Sequence, residues 1–473
     1  MTTSIASRSR SIWVWVAAAL ALDLAGAQHV YLLPTVAAAA LTGLLLLWLV
    51  PETVWQFFAH GAAGPLRLLA LLPIVGFAAA MIDVATFVPV LKEGGGWTAL
   101  RLWLLAGGIA ALLLATGGRR VWIAVVALVL GTAVRMIHMD HVQIIPTNGD
   151  MLPLVQGALD NLLAGRSPYR MYQMPWEVPL TYLPTTWLAY LPSYLLGVDL
   201  RWTNVVAEIV ILGALAWLSA QRSDLPTTLR SEPALVLWAW LYLQPSVIHW
   251  DTGNTAPITW ALLAVTFALV LAGRAQQGAV ALGLTAAGTP LVAVFAPFVG
   301  LHWLRRYGFT ATARLVLISG IVAGIVVTPF LLWAPQDFIT GTYRWFNNIA
   351  GWPRQKWLET DPHIWSIITG YSGEFWSRGT ERWLKPIQGL IAAVVALVYW
   401  LRGARAEMLS SHAAAAYLGF MLFNPVLWPY LYNPVLIVGL VGVAALAVAQ
   451  AEPVAVSAPA ADAARRKPSL TYE

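Results

Sequence analysis

The chain contains no cysteine, so no disulfide staples it, no thiol serves as nucleophile and no thiolate holds a metal. Charge is scarce too. Only 11% of the residues are Asp, Glu, Lys or Arg, against roughly a quarter in an ordinary soluble domain. So little charge argues against a water-soluble globule. What is there instead is apolar: 59% of the 473 residues, with a mean hydropathy of +0.69. These residues come in runs of roughly 17 to 25, the length that crosses a bilayer core as helix. A chain in lipid must satisfy its own backbone groups, which leaves helices or closed barrels, and runs of this length select helices. The expected fold class is all-α: a polytopic transmembrane helical bundle of about 12–14 membrane segments, with amphipathic surface helices in its outer loops.

The runs lie near 11–27, 30–50, 66–90, 98–117, 120–138, 181–197, 202–220, 233–249, 255–273, 278–303, 311–333, 385–402, 411–427 and 431–449. The opening RSRSIWVWVAAALALDLAGAQ has the look of a signal peptide, with Ala25-Gly26-Ala27 as a cleavage-like site. More spans follow at once, which favours an uncleaved first helix. Basic residues collect in the short connections: Arg8 and Arg10, Arg119-Arg120, Arg222 and Arg230, Arg274, Arg305-Arg306, Arg402 and Arg405, and Arg465-Arg466-Lys467. Such clusters mark the cytoplasmic side. They account for the formal charge of +6 without a nucleic-acid partner. The expected location is a cell inner (plasma) membrane with both termini cytoplasmic, and the long polar intervals 139–180 and 334–384 then fall outside. Segment 278–303 has basic residues at both ends and Gly288-Thr289-Pro290 in its middle, so it reads as two half-helices folded back. Pro184 and Pro192 make 181–197 a bent or surface-lying helix. The expected organisation is a transmembrane extension at 1–118, a transmembrane module at 119–450 and a disordered cytoplasmic tail at 451–473, rich in Ala and Pro.

The first outer interval carries a pattern of its own. MLPLVQGALDNLLAG, 151–165, spaces Leu152, Val155, Leu159, Leu162 and Leu163 for one helical face and sets Asp160 and Asn161 on others. An amphipathic helix of this kind suits the membrane surface. Asp150 stands at its start, either as an N-cap or as a reactive carboxylate. Gly165-Arg166-Ser167-Pro168 ends the helix, and Tyr169 and Tyr172 are natural interface anchors. His138 and His141 flank Asp140 in HMDH, too close together to make a good metal site alone; a polar helix end at the water boundary is the plainer reading.

Gly149-Asp150, the helix, Leu162-Leu163-Ala164-Gly165-Arg166-Ser167-Pro168-Tyr169 and Pro179-Leu180-Thr181-Tyr182-Leu183-Pro184 follow one another in an order similar to the first outer loop of the GT-C membrane glycosyltransferases. Among these the sequence most resembles the family 87 type, the polyprenol-phosphate-mannose-dependent enzymes. Gly253-Asn254 in HWDTGNTAPITWALLAV is similar to a polar segment that opens a span in that family. FNPVLWPYLYNPVLIV is similar to its late junction rich in Pro and aromatic residues. The sequence departs from the family pattern at Met151-Leu152-Pro153, where paired tyrosines are common, and at Gly288-Thr289-Pro290-Leu291, where a Lys-x-x-Pro element is common. The resemblance spans roughly residues 120 to 450.

The resemblance implies transfer of a sugar, mannose or similar, from a polyprenyl-phosphate donor to a hydroxyl of a lipid or glycan acceptor at the outer face. Transfer would invert the anomeric centre and use neither metal nor other cofactor. A general base must reach the attacking hydroxyl, and the resemblance gives that role to Asp150, with Asp140 as runner-up. The departing phosphate gains charge and needs waiting cations. The candidates are Arg166 and Arg170, then Arg344, Arg354, Lys356 and His363 in the second outer interval. Tyr169, Tyr182, Trp250, Asp251, Asn254 and Trp352 are candidates for sugar or acceptor contact. A lipid-linked oligosaccharide ligase or polymerase shares this chemistry with a larger donor. A secondary transporter is the rival of a different class, and it calls for ionisable residues at span midpoints and paired broken helices. Asp23, Asp83 and Glu208 are the few acids within spans, and no internal repeat accompanies them.

Overall fold

The computed structural model describes residues 101–102, 105–110, 113, 121–146, 149–174, 177–221, 232–243, 253–345, 381–422, 429–431 and 433–449. The spans expected at 11–27, 30–50 and 66–90, part of 98–117, Arg119-Arg120 and the tail at 451–473 lie outside the described residues.

The described residues are mostly helical. Three helices are long and apolar enough to cross a membrane: α1 (Val121–His141), α5 (Arg201–Ala220) and α9 (Val292–Trp333). Between α1 and α5 lie α2 (Met151–Leu163), a hairpin of β1 (Met171–Gln173) and β2 (Glu177–Pro179), α3 (Pro184–Leu188) and α4 (Leu191–Leu195). Then follow α6 (Glu232–Leu243), α7 (Ala256–Leu271), α8 (Ala275–Ala286) and, after α9, α10 (Pro335–Ile339) with a π turn at Thr340–Arg344. The last elements are α11 (Glu381–Leu401), α12 (Ala406–Leu422), a 3-10 turn at Pro429–Leu431 and α13 (Asn433–Ala449). One small antiparallel ladder, Tyr172 opposite Val178, interrupts the expected all-α class. The bend expected at 181–197 is real: each proline opens a five-residue helix, where its missing N–H costs nothing.

The 42 residues of α9 are not one rod. Gly308, with φ 79° and ψ 177°, breaks them into limbs 292–307 and 309–333. A straight helix would put Val292 and Phe330 about 57 Å apart. Yet Thr186 Oγ1 donates to Gly288 O at 2.7 Å, just before the first limb, while the neighbouring Trp187 ring lies 5.2 Å from Phe330 in the second. The chain therefore leaves this end along 292–307, turns at Gly308 and returns along 309–333. Residues 287–291 interrupt the run before it, so α8 and 292–307 are the two half-helices read from Gly288-Thr289-Pro290. Ser319 Oγ donates to Ala279 O at 2.8 Å, locking the returning limb to α8.

The turn gathers basic loops at one end. Arg306 Nη2 lies against Gly273, and His302 Nδ1 bonds the Ala404 carbonyl at 3.2 Å, so 273–274, 302–306 and 402–405 are neighbours. At the opposite end the Arg201 guanidinium, at the start of α5, donates to the carbonyls of Val142 (2.6 Å) and Met139 (2.7 Å), which close α1. In the middle of the bundle Arg135 of α1 and Glu208 of α5 are buried together, with Arg135 Nη2 at 3.2 Å from Glu208 Oε2. Arg135 Nη1 also donates to the Tyr242 carbonyl of α6 at 2.9 Å, and its guanidinium lies 3.7 Å from the Tyr242 ring centre. Three helices are thus tied by one ionic and aromatic cluster.

Helix α2 forms where expected, and its apolar face is covered by protein. Leu152, Leu154, Val155, Ala158 and Leu159 are buried in the protein's own core. Asn161, expected on another face, is buried too, and its amide donates to Tyr172 Oη at 3.1 Å. The helix ends as the Gly165 signal requires: Gly165 takes φ +68° and Arg166 N–H reaches back to Asn161 O at 2.8 Å.

Candidate functional site

The site is assembled around the backbone just before α2. Gly149 has φ +152°, and a Cβ there would stand 2.9 Å from Gly253 Cα. Only glycine permits both that dihedral and that approach. Two further contacts continue the pairing: Leu152 N–H donates to Gly253 O at 3.2 Å, and Thr255 Oγ1 lies 3.9 Å from Met151 Sδ. Asp150 and Asn254 are therefore bracketed between the Gly149–Gly253 and Met151–Thr255 contacts, side by side at the mouths of α2 and α7.

Asp150 occupies the N-cap position of α2 but makes no side-chain cap hydrogen bond. Its residue is half-buried. Burial first, and then the negative charge of Asp150, push the Tyr182 and Tyr430 phenols above their ordinary range. Both phenols are thus neutral neighbours of the carboxylate, one from the loop before α3 and one from the turn before α13. Tyr417 of α12 positions that turn by donating to Leu431 O at 2.8 Å. Tyr182 is held by its backbone: Tyr169 Oη donates to Tyr182 O at 2.8 Å, and Trp187 Nε1 donates to Tyr169 Oη at 3.2 Å.

Asn254 is 3% exposed. Its Oδ1 accepts from Ala256 N–H at 2.7 Å, closing the first turn of α7, and its carbonyl accepts from Asn204 Nδ2 at 2.8 Å. Asn204 is in turn fixed by Tyr190 Oη. With Oδ1 so assigned, the amide orientation is determined, and Nδ2 is left buried with no partner among the described residues.

Other candidate residues fall elsewhere. Tyr169 is fully buried among Trp187, Phe330 and Phe338, the last at 4.6 Å between ring centres. It is a core residue that orients Tyr182 rather than an interface anchor or an open sugar platform. Arg166 is exposed beyond the far end of the 13-residue α2, about 20 Å from Asp150 by helix rise, and Arg170 is exposed after the Gly165 turn, before β1. The structure does not bring them to the carboxylate. Arg344 is exposed in the π turn, whose Gly341 presses on the Leu180 carbonyl, so its element does reach the Tyr182 segment. Asp140 is exposed in the last turn of α1, and His141 beside it bonds Ile137 O at 2.8 Å. Among the described residues no His, Asp and Glu side chains are grouped to hold a metal ion. Trp250, Asp251, Trp352, Arg354, Lys356 and His363 lie outside the described residues.

Three residues of the site went unrecognised in the sequence. Tyr430 sits inside the Pro- and aromatic-rich junction, where its motif was visible but its role was not. Asn204 and Tyr190 carry no sequence signal, since a polar residue in an apolar helix does not name its partner. No family model, no curated protein and no solved structure matches this chain.

Proposed function

We propose that the protein is a membrane glycosyltransferase of the GT-C type, transferring a sugar such as mannose from a polyprenyl-phosphate donor to a hydroxyl of a lipid or glycan acceptor. One observation carries this reading. Gly149-Asp150, Gly253-Asn254, Tyr182 and Tyr430 come from four stretches far apart in sequence, and they meet around one carboxylate. A bundle with a merely structural Asp150 has no reason to collect them there.

In this reading Asp150 takes the proton of the acceptor hydroxyl as its oxygen bonds to the anomeric carbon. The bond from that carbon to the phosphate oxygen breaks, and the lipid phosphate leaves with the electron pair. Two neutral phenols stand beside the half-buried carboxylate, which in its ionised form can accept the proton. The second outer interval supplies the phosphate contact, with Arg344 the described cation on an element that touches the site. The polytopic bundle, the outer location of this end and the cytoplasmic basic loops belong to the same proposal.

The test is incubation of the purified protein with labelled polyprenyl-phosphate sugars and a membrane-lipid acceptor fraction. Wild type is expected to transfer sugar, and Asp150→Asn to fall by about a hundred- to ten-thousand-fold, the range for loss of a general base. Asn is nearly isosteric with Asp and serves equally well at a helix N-cap, so the variant should fold as wild type does. Near-normal transfer by Asp150→Asn overturns the assignment and makes Asp140→Asn the next variant. Absence of transfer from every donor overturns the reading as a whole.

A further inference from the structure

On the residue bracketed with Asp150 the protein holds a buried amide donor that has no partner among the described residues. Leaving a buried amide N–H unpaired costs about 1–3 kcal/mol, so its retention calls for a reason. Asn254 Nδ2 is not a loose group that happens to miss a partner. Its own Oδ1 is tied to Ala256 N–H, its carbonyl to Asn204, and Asn204 to Tyr190. The Ala256 N–H orients the amide, Asn204 and Tyr190 hold the backbone beneath it, and one donor is left unspent on the residue bracketed with Asp150.

A donor next to an acceptor is the complement of a hydroxyl, which accepts through its oxygen and donates through its hydrogen. A phosphate oxygen satisfies the amide but sets negative charge against Asp150, and like charges at contact repel strongly in a poorly solvated site. One described cation at this end of the bundle is already committed. Arg201, one turn before Asn204 on α5, pairs with Asp199 at 2.5 Å and with the carbonyls of Met139 and Val142. Arg166 lies beyond the far end of α2, and Arg344 is exposed on the π turn, whose Gly341 meets Leu180 rather than Asn254.

We propose that the Asp150–Asn254 corner is a site for a neutral polyhydroxyl ligand, in which Asn254 Nδ2 donates to the same hydroxyl oxygen whose hydrogen faces the Asp150 carboxylate. This deepens the transferase reading, on which it rests for the identity of that hydroxyl as the acceptor's. Asn254 fixes the oxygen's lone pair and so its line of attack, while the anionic phosphate of the donor binds elsewhere.

The experiment uses the full chain in detergent. Saturation-transfer NMR is recorded with methyl α-glycosides of mannose, glucose and galactose as probes, and mannose 1-phosphate as the anionic competitor. At least one neutral glycoside should bind. Its signal should be lost in Asn254→Ser, whose shorter hydroxyl still caps Ala256 N–H but does not reach the ligand. Mannose 1-phosphate should not displace it. In the transfer assay Asn254→Ser should raise the KM for acceptor by roughly ten-fold, the scale of one hydrogen bond, and leave the KM for donor unchanged. An unchanged glycoside signal in folded Asn254→Ser overturns the proposal, as do silence from all three probes or equal displacement by mannose 1-phosphate. Asn254-dependent glycoside binding without sugar transfer leaves the corner standing and removes the transferase reading. Transfer with an unaltered acceptor KM in Asn254→Ser does the reverse.

Discussion

Two residue pairs carry most of the structural argument, and each makes a prediction. Gly149 combines φ +152° with a backbone approach to Gly253 that leaves no room for a Cβ. Gly149→Ala must move either the 149–152 backbone or the 253–255 strand of contacts. A non-glycine residue forced into such a dihedral costs about 1–3 kcal/mol, and the displacement separates Asp150 from Asn254. The variant should melt modestly lower but lose transfer almost entirely; wild-type activity would show that the contact does not set the site. Arg135 and Glu208 are the second pair. Both are buried, and removing one partner leaves an uncompensated charge, a loss of about 3–5 kcal/mol in comparable interiors. Glu208→Ala is therefore expected to unfold far more readily in detergent. Arg135→Met with Glu208→Leu should recover most of the loss, since apolar pairs replace buried ion pairs at little cost. Equal instability of the single and double variants would assign Glu208 a role beyond holding helices together.

At the scale of elements, α2 shows what a sequence period tells and what it leaves out. The spacing of Leu152, Val155 and Leu159 specifies a helix and its apolar face. It does not say what covers that face, and lipid and protein are equally greasy. The cover is protein: the buried face packs beneath the site, and Leu159 has no exposed surface. Leu159→Ala should therefore cost about 2–5 kcal/mol, the range for a buried leucine in a close-packed interior, read as a drop in thermal stability. Leu163→Ser, on the exposed side, should change stability by no more than about 0.5 kcal/mol. A helix lying on the membrane would reverse that order. The hairpin at 171–179 escaped the sequence because three residues per strand show no period of their own. Asn161 escaped because its partner, Tyr172, comes from beyond the Gly165 turn. The break at Gly288-Thr289-Pro290 was readable, because proline and glycine act on the backbone directly and need no neighbour to do so.

At the scale of the whole molecule, the distribution of arginines already divided the loops into two sets, and the described structure keeps them at opposite ends. Arg305-Arg306, Arg274 and Arg402–Arg405 gather where 292–307 turns into 309–333. The end reached by Phe330 instead packs against Trp187 and Tyr169, and the Tyr169 ring lies tilted against Phe338 just before the π turn. The intervals 139–180 and 334–384 thus touch through Tyr169 with Phe338 and Leu180 with Gly341, an arrangement that no loop-by-loop charge count contains. It leads to a labelling prediction for which the cysteine-free chain is already suited. Arg166→Cys and Arg344→Cys, both at exposed positions of the site end, should react with a membrane-impermeant maleimide from the same side of intact cells. Arg305→Cys and Arg402→Cys, exposed at the opposite end, should react only after permeabilisation. A long-range contact such as Trp187 with Phe330 fixes relative position but not which face is outer; the labelling decides that, and the expected outcome follows from the basic loops, because arginine resists transfer across the membrane during insertion. Labelling of Arg166→Cys and Arg344→Cys from opposite faces would break the packing of the two intervals, and with it the site. Labelling of both only after permeabilisation would keep the site intact and turn it to the cytoplasm, where the donor would have to present its phosphate from the inner leaflet.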